Sequence, residues 1–415
     1  MARMPEPRWR DVARAAGLLR PDGAVASTIF AEMTALATRT GAANLGQGFP
    51  DVDGPEHIRE AAAAYLREGP NQYAPGPGVP ELRSAVAAHQ RRHYGLEVDP
   101  ECEVLVTVGA TEAIASAILA LVAPGDEVLT LEPFYDSYAA TIALTGATHR
   151  TLPLRPATEG FRLDPEDVAA AFTDRTRVLL LNSPHNPTGT VLGREQLALL
   201  AEQAVAHDVV VVTDEVYEHL TYGPDGREHE NLHVPIATLP GMAERTVTIS
   251  SSGKTLSFTG WKVGWLHGPA ELVTAIRTVK QFLTYVGPGA LQRAIAGALE
   301  DTDGRTGAYV ADLRASLRRR RDVLAEVLRD VGFAPLIPAG TYFLVADAAP
   351  LGWDDAVELC RQMPERAGVV AIPITAFCTP GSATAESLRS WVRFTFVKSM
   401  PVLEQAAAGL PRLRR

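Results

Sequence analysis

From about residue 100, short apolar runs rich in β-branched residues alternate with longer segments of helical pattern. Runs that are apolar at almost every position are typical of strands buried on both faces, and their alternation with helices predicts a mostly parallel α/β sheet. We predict strands at residues 103–108, 126–131, 177–182, 208–213 and 245–250. We predict helices at residues 111–122, 135–146, 193–206 and 270–285.

The C-terminal third of the chain has a different pattern. We predict a long arginine-bearing helix at about 305–330, strands at 341–346 and 390–396, and a closing helix at 401–410. Because 415 residues exceed what one hydrophobic core usually supports, we expect two domains. The large domain is expected at 47–300, and the smaller α+β domain at 301–415, joined by the N-terminal segment 1–46.

Composition narrows the possible functions. A formal net charge of -10 argues against nucleic acid as the main partner, since phosphate backbones bind to clustered positive charge. No apolar run approaches the roughly 18 residues of a membrane-spanning helix, and the N-terminus lacks the apolar core of a signal peptide. Three widely spaced cysteines fit a reducing compartment, so we expect a cytoplasmic protein.

Small or polar residues follow four of the predicted strands. They are Gly109-Ala110-Thr111, the segment from Asn182 to Asn186, the pair Asp214 and Tyr217, and the segment from Ser250 to Lys254. In open α/β sheets, ligands bind at the carboxyl ends of the strands. We therefore expect these side chains to meet at one site.

Asp214 and Lys254 indicate the chemistry of this site. A carboxylate after a buried valine run is costly without a cation, and a protonated ring nitrogen would pair with it; a helix N-cap is the alternative role for Asp214. An amine in a dry pocket can form a Schiff base with an aldehyde, although Lys254 alone also fits a solvated surface lysine. Lys262, the Ser250–Ser252 hydroxyls and a helix start at Thr111 would suit a phosphate. An aldehyde, a protonated pyridine and a phosphate together describe pyridoxal phosphate.

Three stretches carry a family resemblance: SPHNPTG (183–189), TDEVY (213–217) and SSSGKTLSFTGWKVGW (250–265). With flanking pieces such as NLGQGFPD and VRFTF in the family's order, the chain resembles class I pyridoxal-phosphate aminotransferases over roughly residues 28–410. The resemblance implies the type I fold of these enzymes. It is strongest to the kynurenine/glutamine/methionine aminotransferase branch and to actinobacterial N-succinyldiaminopimelate aminotransferases.

The resemblance implies roles around the cofactor ring. Lys254 would carry the cofactor and move the proton between the substrate α-carbon and C4′ of the cofactor. Asp214 would pair with the ring nitrogen, and Asn186 and Tyr217 would hydrogen-bond the phenolate oxygen. Tyr135 would stack on the ring.

The resemblance also implies a phosphate site formed by Ala110, Thr111, Ser251 and Lys262. Relatives often carry arginine in place of Lys262, so a single ammonium replaces a guanidinium fork here. Kynurenine-type relatives often carry an aromatic residue in place of Thr111, so the side-chain pocket cannot be assumed the same.

For the substrate, the resemblance implies that Arg393 binds the α-carboxylate, helped by Asn186 and the backbone of Gly46. Tyr73 and Tyr285 would reach the site from a second subunit. The expected active form is therefore a homodimer.

Two further motifs are weaker. HENLH, from His229 to His233, fits the zinc-protease pattern, but that pattern requires a helix and here it follows a Gly-Pro-Asp-Gly loop. Gly253-Lys254-Thr255 resembles the end of a P-loop, but Thr248 stands where that motif requires glycine. We predict no metal ligands.

We therefore predict a cytoplasmic, homodimeric pyridoxal-phosphate aminotransferase that acts on an amino acid and a 2-oxo acid by a ping-pong mechanism, without nucleic-acid or membrane partners. Overall likeness slightly favours an N-succinyl amino-oxopimelate substrate, with methionine, glutamine and kynurenine as alternatives. A cysteine-conjugate β-lyase is a further alternative, because both reactions form a carbanion at the α-carbon. Zinc-dependent hydrolysis through His229 and His233 is the remote alternative.

Overall fold

The computed structural model describes residues 8–158, 160–223 and 230–414. The strands are β1 Ala43–Asn44, β2 Val104–Thr107, β3 Glu127–Glu132, β4 Thr148–Pro153, β5 Arg155–Ala157, β6 Gly160–Arg162, β7 Thr176–Asn182, β8 Val210–Asp214, β9 Thr246–Ser251, β10 Gly264–His267, β11 Ala334–Leu336, β12 Phe343–Asp347, β13 Val369–Val370, β14 Ile372–Pro373 and β15 Trp391–Thr395. The helices are α1 Trp9–Ala15, α2 Ile29–Thr40, α3 Glu56–Glu68, α4 Pro80–Tyr94, α5 Gly109–Leu121, α6 Ser137–Thr145, α7 Pro165–Ala171, α8 Arg194–Ala206, α9 Ser252–Thr255, α10 Ala270–Lys280, α11 Gly289–Glu300, α12 Arg305–Val331, α13 Ala356–Ala367, α14 Ala383–Ser387 and α15 Met400–Gly409.

A seven-stranded sheet with the order β2-β10-β9-β8-β7-β3-β4 forms the centre of the molecule. Its strands are parallel except β10, which is antiparallel to both of its neighbours. Every residue of β2, β3 and β9 is buried, as expected for strands covered on both faces. The prediction of a mostly parallel α/β sheet is confirmed, and all five predicted strands belong to it.

Several predicted elements begin or end a few residues away from the observed ones, and at two of them a positive φ accompanies the difference. The helix predicted at 270–285 ends at Lys280, and Tyr285 lies in the left-handed region with φ of 62°. The strand predicted at 341–346 begins at Phe343, because Thr341 also has φ of 62° and cannot continue an extended strand. Two strands of the central sheet, β4 and β10, were not predicted from the sequence.

A second, antiparallel sheet has the order β11-β12-β15-β14. The N-terminal part of the chain reaches this region, since β1 pairs in parallel with β13 and Glu32 of α2 forms an ion pair with Arg361 of α13. Helix α1 instead packs on α6, where Arg8 donates a hydrogen bond of 2.5 Å to the carbonyl of Leu144. Across the described ranges, no helix has the length and apolar character needed to span a bilayer.

Candidate active site

A cavity of about 350 Å³ lies where the carboxyl ends of the central strands face the second sheet. Asn182 of β7, Asp214 of β8 and Ser251 of β9 line one side, and Phe343 of β12 and Arg393 of β15 line the other. The expected convergence of strand ends is therefore observed. The predicted site residues that line this cavity are Ala110, Thr111, Tyr135, Asn186, Asp214, Tyr217, Ser251, Lys254, Lys262 and Arg393.

Asp214 is a buried carboxylate, only 5% exposed, at the last position of β8. Its Oδ2 accepts a hydrogen bond of 2.7 Å from the hydroxyl of Tyr138, and its Oδ1 accepts a longer one of 3.4 Å from the N–H of Val216. Burial raises the pKa of Asp214. Because both donors are neutral, a cation in the cavity would stabilise the charged form of this carboxylate.

Asn182 positions two neighbours of this carboxylate. Its Nδ2 donates a hydrogen bond of 2.7 Å to the backbone carbonyl of Asp214, and its Oδ1 accepts one of 2.7 Å from the N–H of Asn186. One side chain therefore fixes both the end of β8 and the turn that carries Asn186.

The amine of Lys254 lies between two tyrosine rings. Its Nζ is 5.8 Å from the ring centre of Tyr217 and 5.9 Å from that of Tyr342. The two rings meet edge to face with centres 5.2 Å apart. Burial raises the pKa of Tyr217 well above its ordinary value, so its hydroxyl is protonated and can donate a hydrogen bond into the cavity.

The other end of the cavity suits an anion. Helix α5 begins at Gly109, and within the described ranges no side chain accepts a hydrogen bond from the N–H groups of its first turn, which attract negative charge. Lys262 has a positive φ of 54°. Its ammonium lies beside the first residue of α5, since a Cβ built on Gly109 would be 3.3 Å from Nζ of Lys262. A Cβ on Gly264 would be 2.6 Å from the carbonyl carbon of Gly109, so glycine at 264 allows the close approach of β10 to the start of α5.

Arg393 is a guanidinium buried among aromatic rings, 3% exposed. Its carbon Cζ is 4.1 Å from the ring centre of Phe343 and 4.5 Å from that of Phe377. Its Nη1 donates a hydrogen bond of 3.2 Å to Oδ1 of Asn186 and its Nη2 one of 2.6 Å to the carbonyl of Gly46, while its Nε has no partner among the described residues. Burial lowers the pKa of Arg393 to about 10, so it remains a cation suited to bind a carboxylate.

Three predicted site residues lie outside the cavity lining. The N–H of Gly46 donates to Oδ1 of Asn44 at 3.0 Å, and its carbonyl accepts the hydrogen bond from Arg393. Tyr73 and Tyr285 are 81% and 47% exposed, and their rings contact each other with centres 5.3 Å apart. In a single chain these tyrosines therefore face solvent.

The zinc-protease motif is only partly covered by the structure, because His229 lies outside the described residues. His233 is buried, and its Nε2 lies 2.7 Å from Oε2 of Glu215. The residues from 230 to 235 form no helix. Their conformation therefore does not provide the helical face that this motif requires.

Sequence reasoning missed two residues near the cavity, Tyr138 and Tyr342, and gave no role to a third, Asn182. Tyr138 lies three positions after Tyr135 in the EPFYDSY stretch, a spacing that could have indicated a second inward-facing tyrosine. Asn182 was expected at the site because it ends a predicted strand, but its hydrogen bonds to the backbone of Asp214 and Asn186 were not predicted. Tyr342 follows a residue of positive φ, and no sequence pattern signalled its position beside Lys254.

The cavity fits pyridoxal phosphate by three independent features. A buried carboxylate without a charged donor, an amine on the cavity wall, and an uncapped helix start beside Lys262 correspond to its ring nitrogen, aldehyde and phosphate. The family profile of aminotransferases of class I and II matches residues 40–410, and the chain belongs to this family of pyridoxal-phosphate-dependent enzymes of fold type I. The predicted family, cofactor and aminotransferase activity are confirmed.

Individual relatives share almost the whole chain. A probable N-succinyldiaminopimelate aminotransferase of Mycobacterium tuberculosis is 54% identical over 396 residues, which cover 94% of this chain and 96% of the relative. A methionine aminotransferase of Escherichia coli is 40% identical over 387 residues, which cover 93% of this chain and 96% of the relative. The solved structure of the N-succinyldiaminopimelate aminotransferase from Mycobacterium tuberculosis aligns with a TM-score of 0.89 at 52% identity, covering 99% of this chain and all of that one.

Proposed function

We propose that Lys254 carries the cofactor and that Asp214 pairs with its ring nitrogen. The observation that carries this proposal is the arrangement of an amine, a buried carboxylate without a charged donor and a buried guanidinium around one cavity. Asn186 and Tyr217 would hydrogen-bond the phenolate oxygen of the cofactor, and Tyr135 would stack on its ring. Ala110, Thr111, Ser251 and Lys262 bind the phosphate at the start of α5.

When bound, pyridoxal phosphate supplies an electron sink for the charge that develops at the substrate α-carbon. The negative charge of Asp214 keeps a positive charge on the ring nitrogen favourable, since a nearby carboxylate shifts a partner's pKa by about 1–3 units. The amine of Lys254 would serve as the acid and base that takes the proton from the substrate α-carbon and holds it for return. Arg393 binds the α-carboxylate, Asn186 and the carbonyl of Gly46 orient its guanidinium, and the two half-reactions follow a ping-pong order.

For the substrate, we propose an N-succinyl amino-oxopimelate, on the basis of the 54% identity to the relative of that name. A second candidate is a donor amino acid with an uncharged side chain, such as methionine. Two features of the cavity favour such a donor. Among the described residues, its cations are Lys254, Lys262 and Arg393, which we assign to the aldehyde, the phosphate and the α-carboxylate, so none is left for a charged side chain. The remaining wall is apolar and consists of Phe30, Phe49, Phe343 and Phe377.

We also propose a cytoplasmic homodimer in which Tyr73 and Tyr285 reach the partner's site. The exposure of these two rings and of neighbouring Phe282 supports this interface. The free cysteines Cys102, Cys360 and Cys378 fit a reducing compartment. We further propose the domain division at 47–300 and 301–415, with segment 1–46 joined to the small domain through β1 and α2.

The assignment of Lys254 is tested by borohydride reduction of the holoenzyme followed by peptide mass mapping. We expect a cofactor adduct on Lys254, and we expect Lys254→Ala to fold with the wild-type circular dichroism spectrum but without activity. An adduct on another side chain would refute the assignment. A panel of N-succinyl, methionine, glutamine and kynurenine donors then identifies the substrate, and pyruvate release from a cysteine conjugate without an oxo acid would identify a β-lyase.

A further inference from the structure

Three histidines, His89, His93 and His219, form a cluster beside the proposed cofactor site. His89 and His93 are one helical turn apart on α4, and His219 lies five positions after the end of β8. The ring centres of His89 and His93 are 4.5 Å apart, and the ring of His219 is 4.9 Å from each. All three rings can present a nitrogen to one point, since the candidate ligand atoms lie within 4.8 Å of one another.

The nitrogen separations suit a metal ion. Nε2 of His89 and Nε2 of His219 are 2.7 Å apart, which requires that only one of the two nitrogens carries a proton. Zinc–nitrogen bonds of about 2.0–2.1 Å in tetrahedral geometry place ligand nitrogens roughly 3.4 Å apart. The observed separations, from 2.7 Å to at most 4.8 Å, span this value, so small side-chain rotations bring all three to bonding distance.

A neighbouring carboxylate gives an independent reason for a cation here. Glu218 is 3% exposed, and its oxygens accept hydrogen bonds from two neutral hydroxyls, Ser250 at 2.5 Å and Tyr94 at 2.8 Å. Among the described residues, its ion-pair neighbour is His219, 4.0 Å away. This buried carboxylate lies on the side of Nε2 of His219, the nitrogen that also faces His89, so the charge of a divalent ion held there would balance it.

We propose that His89, His93 and His219 bind a divalent transition metal, with zinc as the expected ion and water as the fourth ligand. Three imidazoles with one open position suit such ions. A cavity of about 280 Å³ adjoins the cluster and leaves room for the water. The ion would connect α4 with the turn that follows Tyr217. Because Ser251 lines both this cavity and the cofactor cavity, the two sites share a wall. Its role is to position this wall of the active site rather than to take part in the reaction.

Zinc binding to the tag-free holoenzyme tests the proposal. After dialysis against a chelator, we expect calorimetric titration with zinc chloride to give one ion per chain. His93→Gln changes an exposed ligand, so the fold is preserved, and we expect binding to weaken by more than about 100-fold, beyond the 10–100-fold effect of outer-shell changes. Glu218→Gln removes the buried negative charge beside His219, so it is expected to weaken binding, but less than His93→Gln does. The matched control is His207→Gln, which removes a histidine outside the cluster and leaves binding unchanged.

Cobalt gives a second readout that does not depend on activity. We expect the visible d–d bands of four-coordinate cobalt in the wild type and their loss in both His93→Gln and His219→Gln, with the absorption of the cofactor unchanged. Absence of zinc binding by the wild type, or equal binding by His93→Gln, would overturn the proposal. A zinc-induced change in cofactor absorption that persists in both histidine variants would locate the ion in the cofactor cavity and would overturn it as well.

Discussion

The hydroxyl of Tyr138 donates a 2.7 Å hydrogen bond to Oδ2 of Asp214, and both side chains are buried. This bond couples the start of α6 to the end of β8, so it fixes the orientation of the carboxylate that faces the cofactor cavity. It also favours the charged form of Asp214 against the effect of burial.

Tyr138→Phe removes this bond without changing the packing of the ring. Hydrogen bonds to charged groups contribute about 1.5–3 kcal/mol, so we expect kcat/KM to fall by roughly 10–100-fold. Steady-state kinetics with the preferred donor measure the effect. Tyr65→Phe, at an exposed position of α3, is the control and should match the wild type. Unchanged kcat/KM in Tyr138→Phe would mean that Asp214 does not depend on this donor.

Arg393→Lys tests the carboxylate site. A lysine keeps the charge but loses the paired N–H groups that Asn186 and Gly46 orient, so we expect KM for the donor to rise by about 10–100-fold. The rise should appear for both the amino acid and the 2-oxo acid, because both carry the same carboxylate. Arg389→Lys, whose ion pair with Asp355 is largely exposed, serves as the control. Equal KM values in Arg393→Lys and the wild type would exclude Arg393 as the carboxylate ligand.

His267 of β10 predicts a dependence of stability on pH. Burial lowers the pKa of His267 to about 4, while the unfolded chain takes up this proton near the ordinary value of 6.5. The folded state therefore has its full stability above pH 6.5 and loses it as the pH falls toward 4. When the pH is lowered from about 7 to about 5, the free energy of unfolding of His267→Gln should fall by about 2 kcal/mol less than that of the wild type, as measured by denaturant unfolding. Identical losses in both proteins would contradict this origin of acid sensitivity.

Phe282 is 84% exposed beside Tyr285, and we expect this surface to be covered in the proposed homodimer. Phe282→Asp places a charge there, so analytical ultracentrifugation should detect a shift from dimer to monomer together with a loss of activity. Val323→Asp, on the exposed side of α12, is the control that should remain dimeric. A wild type that sediments as a monomer and is fully active would refute the shared site.

The sequence predicted the central sheet because its strands are apolar at nearly every position, a pattern that few other structures produce. Lys254 and Asp214 were identified because they follow such runs directly. Strands β4 and β10 were not predicted because neither is a continuous apolar run: β4 is a partly exposed edge strand with the sequence THRTLP, and β10 has only two apolar side chains between a glycine and a histidine. The contact of Tyr138 with Asp214 joins positions 76 residues apart, and no local pattern encodes it.

The histidine cluster shows the same limit. The spacing of His89 and His93 is visible in the sequence, but His219 lies 130 residues from His89 and meets it only because α4 packs beside the turn after β8. The motif that did match a zinc pattern, from His229 to His233, has a buried Glu215–His233 pair at one end instead. Spacing alone therefore selected the less suitable histidines.

Strands β9 and β10 pair with Ser251 opposite Gly264, which makes the twelve residues between them a single closed connection. Lys254 and Lys262, the proposed covalent and ionic attachments of the cofactor, both lie inside it. Inserting or deleting even one residue there would displace the two attachments relative to each other. Efforts to redesign donor selectivity are better directed to the side chains of Phe30 and Phe49, which line the cavity from outside this connection.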